Sequence, residues 1–350
     1  MAATLNKLKK DYPWIQTPLI VGAPMRLIAL DEIAIEVSRA GGIGFLAAGT
    51  DISQTSAHLQ KVKASFERQP IKTRDDLLPI GLGFITWGAP LTPSLQLIAQ
   101  YRPAAIWLFA YKDPDHLTEW VEGVRQASPE TRIWIQIGSV AQALETLLLS
   151  PDILVVQGAD AGGHGLVKGA GLIPLLPEVA DSITSGLGEG ESKPVLIAAG
   201  GIMESRTASA ALALGASGVV LGTRLLATPE AAITPGYRNE VLRASDGGQT
   251  TVRTKVYDSV RGTTGWSEHY NARGVINRTL RDHEEGLDVE ENKKLYEEEV
   301  KKGDEGWGFG GRMTTYAGAG VGLVREVKPA ADVVREVREG VKEVLGRVVL

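Results

Sequence analysis

The chain has 350 residues, 43% hydrophobic and 23% charged, which is the make-up of an ordinary globular protein with enough length for a large core. A net charge of −5 without a basic stripe argues against a nucleic-acid surface, and the absence of cysteine excludes disulfides, thiolate metal sites and cysteine nucleophiles. No apolar run reaches the length of a membrane span, and the start MAATLNKLKKDYPW has no apolar secretory core, so a cytoplasmic protein that binds neither membrane nor nucleic acid is expected.

In chain order, PLIVGAPM (Pro18 to Met25) reads as a strand ending in a turn. DEIAIEVSRAGG then reads as a helix, with Asp31 near its start and Gly41 as its stop. GIGFLAAG is a second strand, followed by a helix from Asp51 to Phe66. LLPIGLGFI, PAAIWLFA, RIWIQIGS and DILVVQGA are the third to sixth strands, and PVLIAAGGI and SGVVLGT the seventh and eighth. Helix patterns such as DHLTEWVEGVRQ, VAQALETLLL and ESRTASAALALG lie between them. The strands are continuous apolar runs, as expected of a parallel sheet covered by helices. Eight such strands point to an α/β (β/α)8 TIM barrel. An open doubly wound sheet would instead place its dominant glycine-rich turn after the first strand, whereas here the glycines cluster after the sixth, seventh and eighth.

After the eighth strand the pattern changes. Residues 234–324 are polar and glycine-punctuated, and include the charged helix pattern DVEENKKLYEEEVKKG, whose charges read as a solvated face. We read 234–324 as a mostly helical subdomain inserted on the barrel of 1–233 and 325–350. PAADVVREVREGVKEVLGRVV has apolar residues at helical spacing and reads as a closing helix that packs on the barrel.

A barrel of this kind carries its chemistry at the carboxyl ends of its strands. There stand GAPM, AAG, GFITW, QGADAGGHG, AAGGI and LGTRL. Backbone N–H groups of Gly200, Gly201 and Gly222, with the hydroxyl of Thr223, can approach an anion closely, and together they indicate a phosphate site on neighbouring strands. His164 lies among Gly162, Gly163 and Gly165 at a strand end, where an imidazole suits proton transfer near neutral pH. His58, His116, His269 and His283 fall on helix or insert positions and read as structural. No histidine pair has metal-ligand spacing, so no metal site is expected, and no nucleophile-elbow motif is present.

These motifs, in this order and spacing, resemble the nitronate monooxygenases, formerly called 2-nitropropane dioxygenases, which are FMN-dependent barrels. The resemblance runs from PLIVGAPM through VVLGTRLLATPEA, is strongest in QGADAGGHG, and has weaker echoes in NARGVINR and YAGAGVGLV. It implies that Ala23, Pro24, Met25 and Gln136 line the flavin ring, and that Gln157, Gly162 and Gly163 touch the ring and its ribityl chain. It further implies that Gly200, Gly201, Leu221, Gly222 and Thr223 hold the FMN phosphate, and that His164 faces the substrate, binding the nitro group or taking the α-proton of a neutral nitroalkane. The reaction so implied is oxidation of a nitronate by O2 to a carbonyl compound and nitrite, in a chain that can form oligomers. One departure is Ile85, which stands where many bacterial members carry asparagine; nearby Trp87 offers a flat wall or simple packing. Three other readings fit parts of the pattern. They are an FMN- and NAD(P)H-dependent enoyl-thioester reductase, a non-catalytic flavin-binding protein, and a barrel for a sugar phosphate.

Overall fold

The computed structural model describes residues 2–187 and 192–347; of the expected closing helix, 348–349 lie outside these. Among the described residues eleven strands follow in chain order. They are β1 (Leu19–Gly22), β2 (Ile43–Gly49), β3 (Leu78–Ile85), β4 (Pro103–Phe109), β5 (Arg132–Ile137), β6 (Ile153–Gln157), β7 (Gly163–Leu166), β8 (Val195–Ala199), β9 (Gly218–Leu221), β10 (Thr251–Thr254) and β11 (Tyr270–Val275). Eight of them, all but β7, β10 and β11, pair in parallel as a closed barrel, sealed where β1 meets β9 with Leu19 opposite Gly218 and Gly22 opposite Leu221. The expected TIM barrel is therefore the fold, and each expected barrel strand is present.

The continuous apolar runs have a direct cause. Leu19 and Val21 point into the barrel interior while Ile20 points out to the helix layer, and all three are buried. Inside, Phe45, Trp107 and Trp134 form an aromatic layer, with ring centroids 5.0 Å apart for Phe45 against each tryptophan. Below it, the N-terminal helix Ala2–Asp11 and Tyr12 plug the barrel floor, where Trp134 Nε1 donates to the Tyr12 hydroxyl at 2.7 Å. The Asp11 carboxylate is anchored there by Arg74 at 2.9 Å and Arg132 at 2.7 Å. Every feature that closes this floor leaves the opposite, carboxyl-end face for function.

The segment after the eighth barrel strand is largely helical, and it also contains two strands that its sequence did not signal. β10 and β11 pair antiparallel, and β11 pairs with β7, which continues the glycine-rich stretch after β6. These strands are short, and GHGL and TVRT lack the apolar alternation by which strands are recognised. Their pairing fixes the backbone at His164, which stands opposite Ala272. The charged helix is Val289–Val300, solvated except for Asn292 and Tyr296. The closing helix Ala330–Arg347 buries Val333, Val334, Val337 and Val341 against the barrel. No helix among the described residues is long and apolar enough to cross a membrane.

Candidate active site

A cavity of about 730 Å³ opens at the carboxyl ends of the barrel strands and is roofed by the inserted segment. Its volume falls within the roughly 300–1,000 Å³ typical of cofactor and ligand sites. Ala23, Pro24, Met25, Gln136, Gln157, Gly162, Gly163, His164, Gly200, Gly201, Gly222 and Thr223 all line it. Leu221 does not: its side chain is fully buried in the helix-facing layer, and its carbonyl accepts the Ala23 N–H at 3.0 Å. Leu221 thus sets the course of the GAPM turn, away from the cavity wall.

The floor is built from close packing. A Cβ at Gly83 would stand 2.4 Å from Pro24 Cβ, so the glycine lets the proline of GAPM settle onto β3. Gln136 is buried at the end of β5, with its Oε1 accepting from Trp107 Nε1 at 3.0 Å, which leaves its amide group turned to the cavity it lines. Ile85 and Trp87 are both on the wall, so the position of the asparagine departure presents an apolar side chain there.

At the other end, Gly200 and Gly201 take φ of +101° and +74°, conformations that L side chains rarely adopt. A Cβ at Gly222 would meet only Ala23 Cβ, at 3.7 Å, and one at Gly163 would meet nothing within 4 Å. Backbone at these points therefore faces open space. Thr223 Oγ1 accepts the Gly318 N–H at 3.0 Å, which leaves its own hydroxyl hydrogen to donate. A flat floor with an amide beside it, joined to a glycine-lined cradle with a hydroxyl donor, suits a planar cofactor with an anionic tail.

His164 stands over this floor with its side chain 14% exposed. Its Nε2 lies 3.0 Å from both carboxylate oxygens of Asp258, on the helix Val256–Arg261. Thr263 Oγ1 and the Tyr316 hydroxyl donate to Asp258 Oδ1 at 2.8 and 3.3 Å. Trp266 stacks on the imidazole at 3.7 Å and 8°. Burial, countered in part by the Arg261 charge, pushes the Tyr316 phenol well above its ordinary value, so it remains a donor at neutral pH. The Arg261 guanidinium lies 5.2 Å from the centre of that ring.

Beneath the β6–β7 loop, Arg253 and Arg273 face each other across β10 and β11. Arg253 donates to the carbonyls of Ala159 at 3.1 Å and Ala161 at 3.0 Å, and Arg273 to Ala159 at 3.3 Å. Burial and then the neighbouring Arg273 charge bring Arg253 down to about 10, still cationic at neutral pH. The pair clamps the loop that carries Gly162 and Gly163.

Asp258, Thr263, Trp266 and Arg253 had no signal in the sequence, while Arg273 and Tyr316 stand within the weaker echoes NARGVINR and YAGAGVGLV, where no site role was legible for them. Each lies in the inserted segment, and only the fold brings them to His164 or to its loop. The remaining histidines are elsewhere: His58, for example, pairs with Asp31 between the helices Asp31–Arg39 and Thr55–Arg68, off the cavity.

Comparison with known proteins agrees with this architecture. Residues 88–340 match the family model for nitronate monooxygenase. A nitronate monooxygenase of Metarhizium robertsii, npaC, is 46% identical over 98% of this chain and 96% of its own, and one of Neurospora crassa is 38% identical over 97% and 93%. Among solved structures, a nitroalkane oxidase of Streptomyces ansochromogenes superposes with a TM-score of 0.73 at 22% identity, covering 97% of this chain and 99% of that one. FabK of Thermotoga maritima does so with a TM-score of 0.72 at 21% identity, covering 98% and 97%, and these two likenesses speak to the fold alone. On the family match and the near-full-length relatives, the chain belongs to the nitronate monooxygenase family of oxidoreductases.

Proposed function

We propose that this protein oxidises nitronates with O2 to carbonyl compounds and nitrite, using FMN held in the cavity at the carboxyl ends of the barrel strands. The observation that carries this reading is His164, held by Asp258 and Trp266 over a floor and a glycine cradle in one continuous cavity, in a chain of this family. FMN, when bound, supplies the electron acceptance and the reaction with oxygen that no side chain provides. Ala23, Pro24 and Met25 form the floor for its ring, with Gln136 and Gln157 at its polar edge. Backbone N–H groups of Gly200, Gly201 and Gly222, with the Thr223 hydroxyl, hold its phosphate. Leu221 acts only by holding the Ala23 N–H and hence the floor turn.

His164 orients the nitro oxygens of an anionic nitronate, or takes the α-proton when a neutral nitroalkane binds. Ile85, Trp87 and Trp266 line the reacting end with apolar surface, which excludes water and strengthens the polar contacts that remain. With no cysteine to oxidise, the chain suits the reducing cytoplasm where we place this activity. An absorption spectrum of the purified protein, followed by anaerobic NADH or NADPH addition, tests the assignment. We expect a flavin spectrum that NAD(P)H does not bleach within a turnover time. Rapid bleaching with no nitrite from any nitronate would move the protein to the enoyl-thioester reductases, and a colourless protein that takes up no FMN would remove the reading altogether.

A further inference from the structure

The His164–Asp258 contact has a chemical direction. A carboxylate only accepts hydrogen bonds, and three donors converge on this one: His164 Nε2 at 3.0 Å, Thr263 Oγ1 at 2.8 Å and the Tyr316 hydroxyl at 3.3 Å. The carboxylate side chain is 7% exposed, so it has little water to turn to instead. His164 Nδ1, by contrast, has no partner among the described residues and is not itself buried, and the residue lines the cavity. Trp266, stacked flat on the ring, holds its plane; a half-turn of the imidazole would take Nε2 away from Asp258. Titratable and charged groups around the pair are Tyr316, Arg261 over the Tyr316 ring, and Arg253 at the Gly163 carbonyl.

We propose that Asp258 is a positioning residue that keeps the imidazole proton of His164 on Nε2 and so makes Nδ1 the nitrogen offered to the substrate. The proposal rests on the reading of His164 as the substrate-facing group. A neutral nitroalkane gives its α-proton to the Nδ1 lone pair, the C–H electron pair stays with the substrate as nitronate, and the imidazolium charge faces Asp258. A substrate that arrives as nitronate binds together with a proton taken up from solvent at Nδ1, which then donates to its nitro oxygen. Asp258 touches neither substrate nor cofactor and acts only through His164.

The hydroxyls of Thr263 and Tyr316 make the outcome of Asp258→Asn specific. They hold the amide oxygen, so the amide NH2 faces Nε2 and drives the imidazole proton to Nδ1. The test is 15N NMR of histidine-labelled holoprotein without substrate, at a pH where the ring is neutral. The chain has five histidines, and His164 is assigned by its loss in His164→Asn. We expect the Nε2–H tautomer in the wild type and the Nδ1–H tautomer in Asp258→Asn. In the same variant, kcat/KM for a neutral nitroalkane should fall by about 10²–10⁴-fold, the range for a positioned proton-transfer group, and by less for a pre-formed nitronate. A wild-type His164 in the Nδ1–H form, or a tautomer unchanged in Asp258→Asn, overturns the proposal, and the wild-type measurement stands even if the variant fails to fold. Failure of the nitronate reading would look different: no nitrite from any substrate, with the Nε2–H tautomer intact.

Discussion

At the scale of single residues, the glycines of the cavity divide into two kinds that mutation can separate. Gly200 has φ of +101°, and a Cβ there would stand 2.8 Å from the Gly158 carbonyl oxygen, so Gly200→Ala strains the backbone. We expect it to cost about 1–3 kcal/mol in denaturant unfolding. Gly222 has φ of −109° and room for a methyl group, with Ala23 Cβ at 3.7 Å as its neighbour. Gly222→Ala should leave stability within about 0.5 kcal/mol of the parent, as is usual where no contact is broken, while its methyl occupies cradle space. The expected sign of that is weaker flavin retention, on the order of 10-fold, measured by titrating the apoprotein. Equal flavin affinity in the two proteins would show that Gly222 does not face the cofactor. His164 and these glycines were legible in the sequence because unusual residue types crowd one strand end. The roles of Asp258 and Tyr316 were not, since 94 and 152 positions separate them from His164; Asp258 sits in no distinctive local pattern, and YAGAGVGLV does not show that its tyrosine reaches a carboxylate beside His164.

At the scale of elements, the barrel strands were legible because burial on both faces writes an uninterrupted apolar run. β7, β10 and β11 were illegible for a different reason: GHGL, TVRT and YNARGV are interrupted by glycine, arginine or polar residues and form no apolar run. The loop after β8 owes its shape to the helix that follows it. Glu204 caps the helix Ser205–Ala213, accepting from the backbone N–H groups of Arg206 and Thr207, each at 3.1 Å. Thr207 Oγ1 reciprocates by accepting from the Met203 and Glu204 N–H groups, which fixes the exit of the Gly200–Gly201 turn. Partial burial raises the Glu204 carboxyl, but the hydrogen bonds from Arg206 and Thr207 outweigh it and hold the group below its ordinary value. A carboxyl lowered on folding stabilises fully above its unfolded pKa and loses that contribution as pH falls through the folded one. Glu204→Ala should therefore cost about 1 kcal/mol at pH 7. That difference should shrink toward zero well below pH of about 4.3, as chemical denaturation at two pH values would reveal. A difference independent of pH would mean that packing, and not the cap, explains the loss.

At the scale of the whole molecule, the helix layer around the barrel is completed by the C-terminal helix. Ala330–Arg347 packs against Ser205–Ala213 and Asp31–Arg39. Its Arg338 is buried, donating to the Ala40 carbonyl at 2.8 Å and the Pro18 carbonyl at 3.3 Å. Gly340 permits the close approach: a Cβ there would stand 2.6 Å from Ser205 Cβ. Gly340→Val should part the two helices and cost about 1–3 kcal/mol, visible as a lower midpoint in thermal unfolding. An unchanged midpoint would mean the interface has slack that the close packing does not suggest. The inserted segment joins the same body, since Val241, Val275, Ala317 and Val321 share one apolar cluster with Met203, Leu226 and Ala227 of the barrel. It thereby delivers Asp258, Trp266 and Tyr316 to a histidine that the barrel supplies, and a site assembled this way cannot be read from either part alone. The measurement that bears most directly on that site is nitrite release from a nitronate under air, in wild type and His164→Asn matched for flavin content. We predict nitrite from the wild type and a loss of about 10-fold or more in the variant, the worth of a hydrogen bond to a charged group, while the variant stays yellow. Nitrite release by His164→Asn at the wild-type rate would contradict the account.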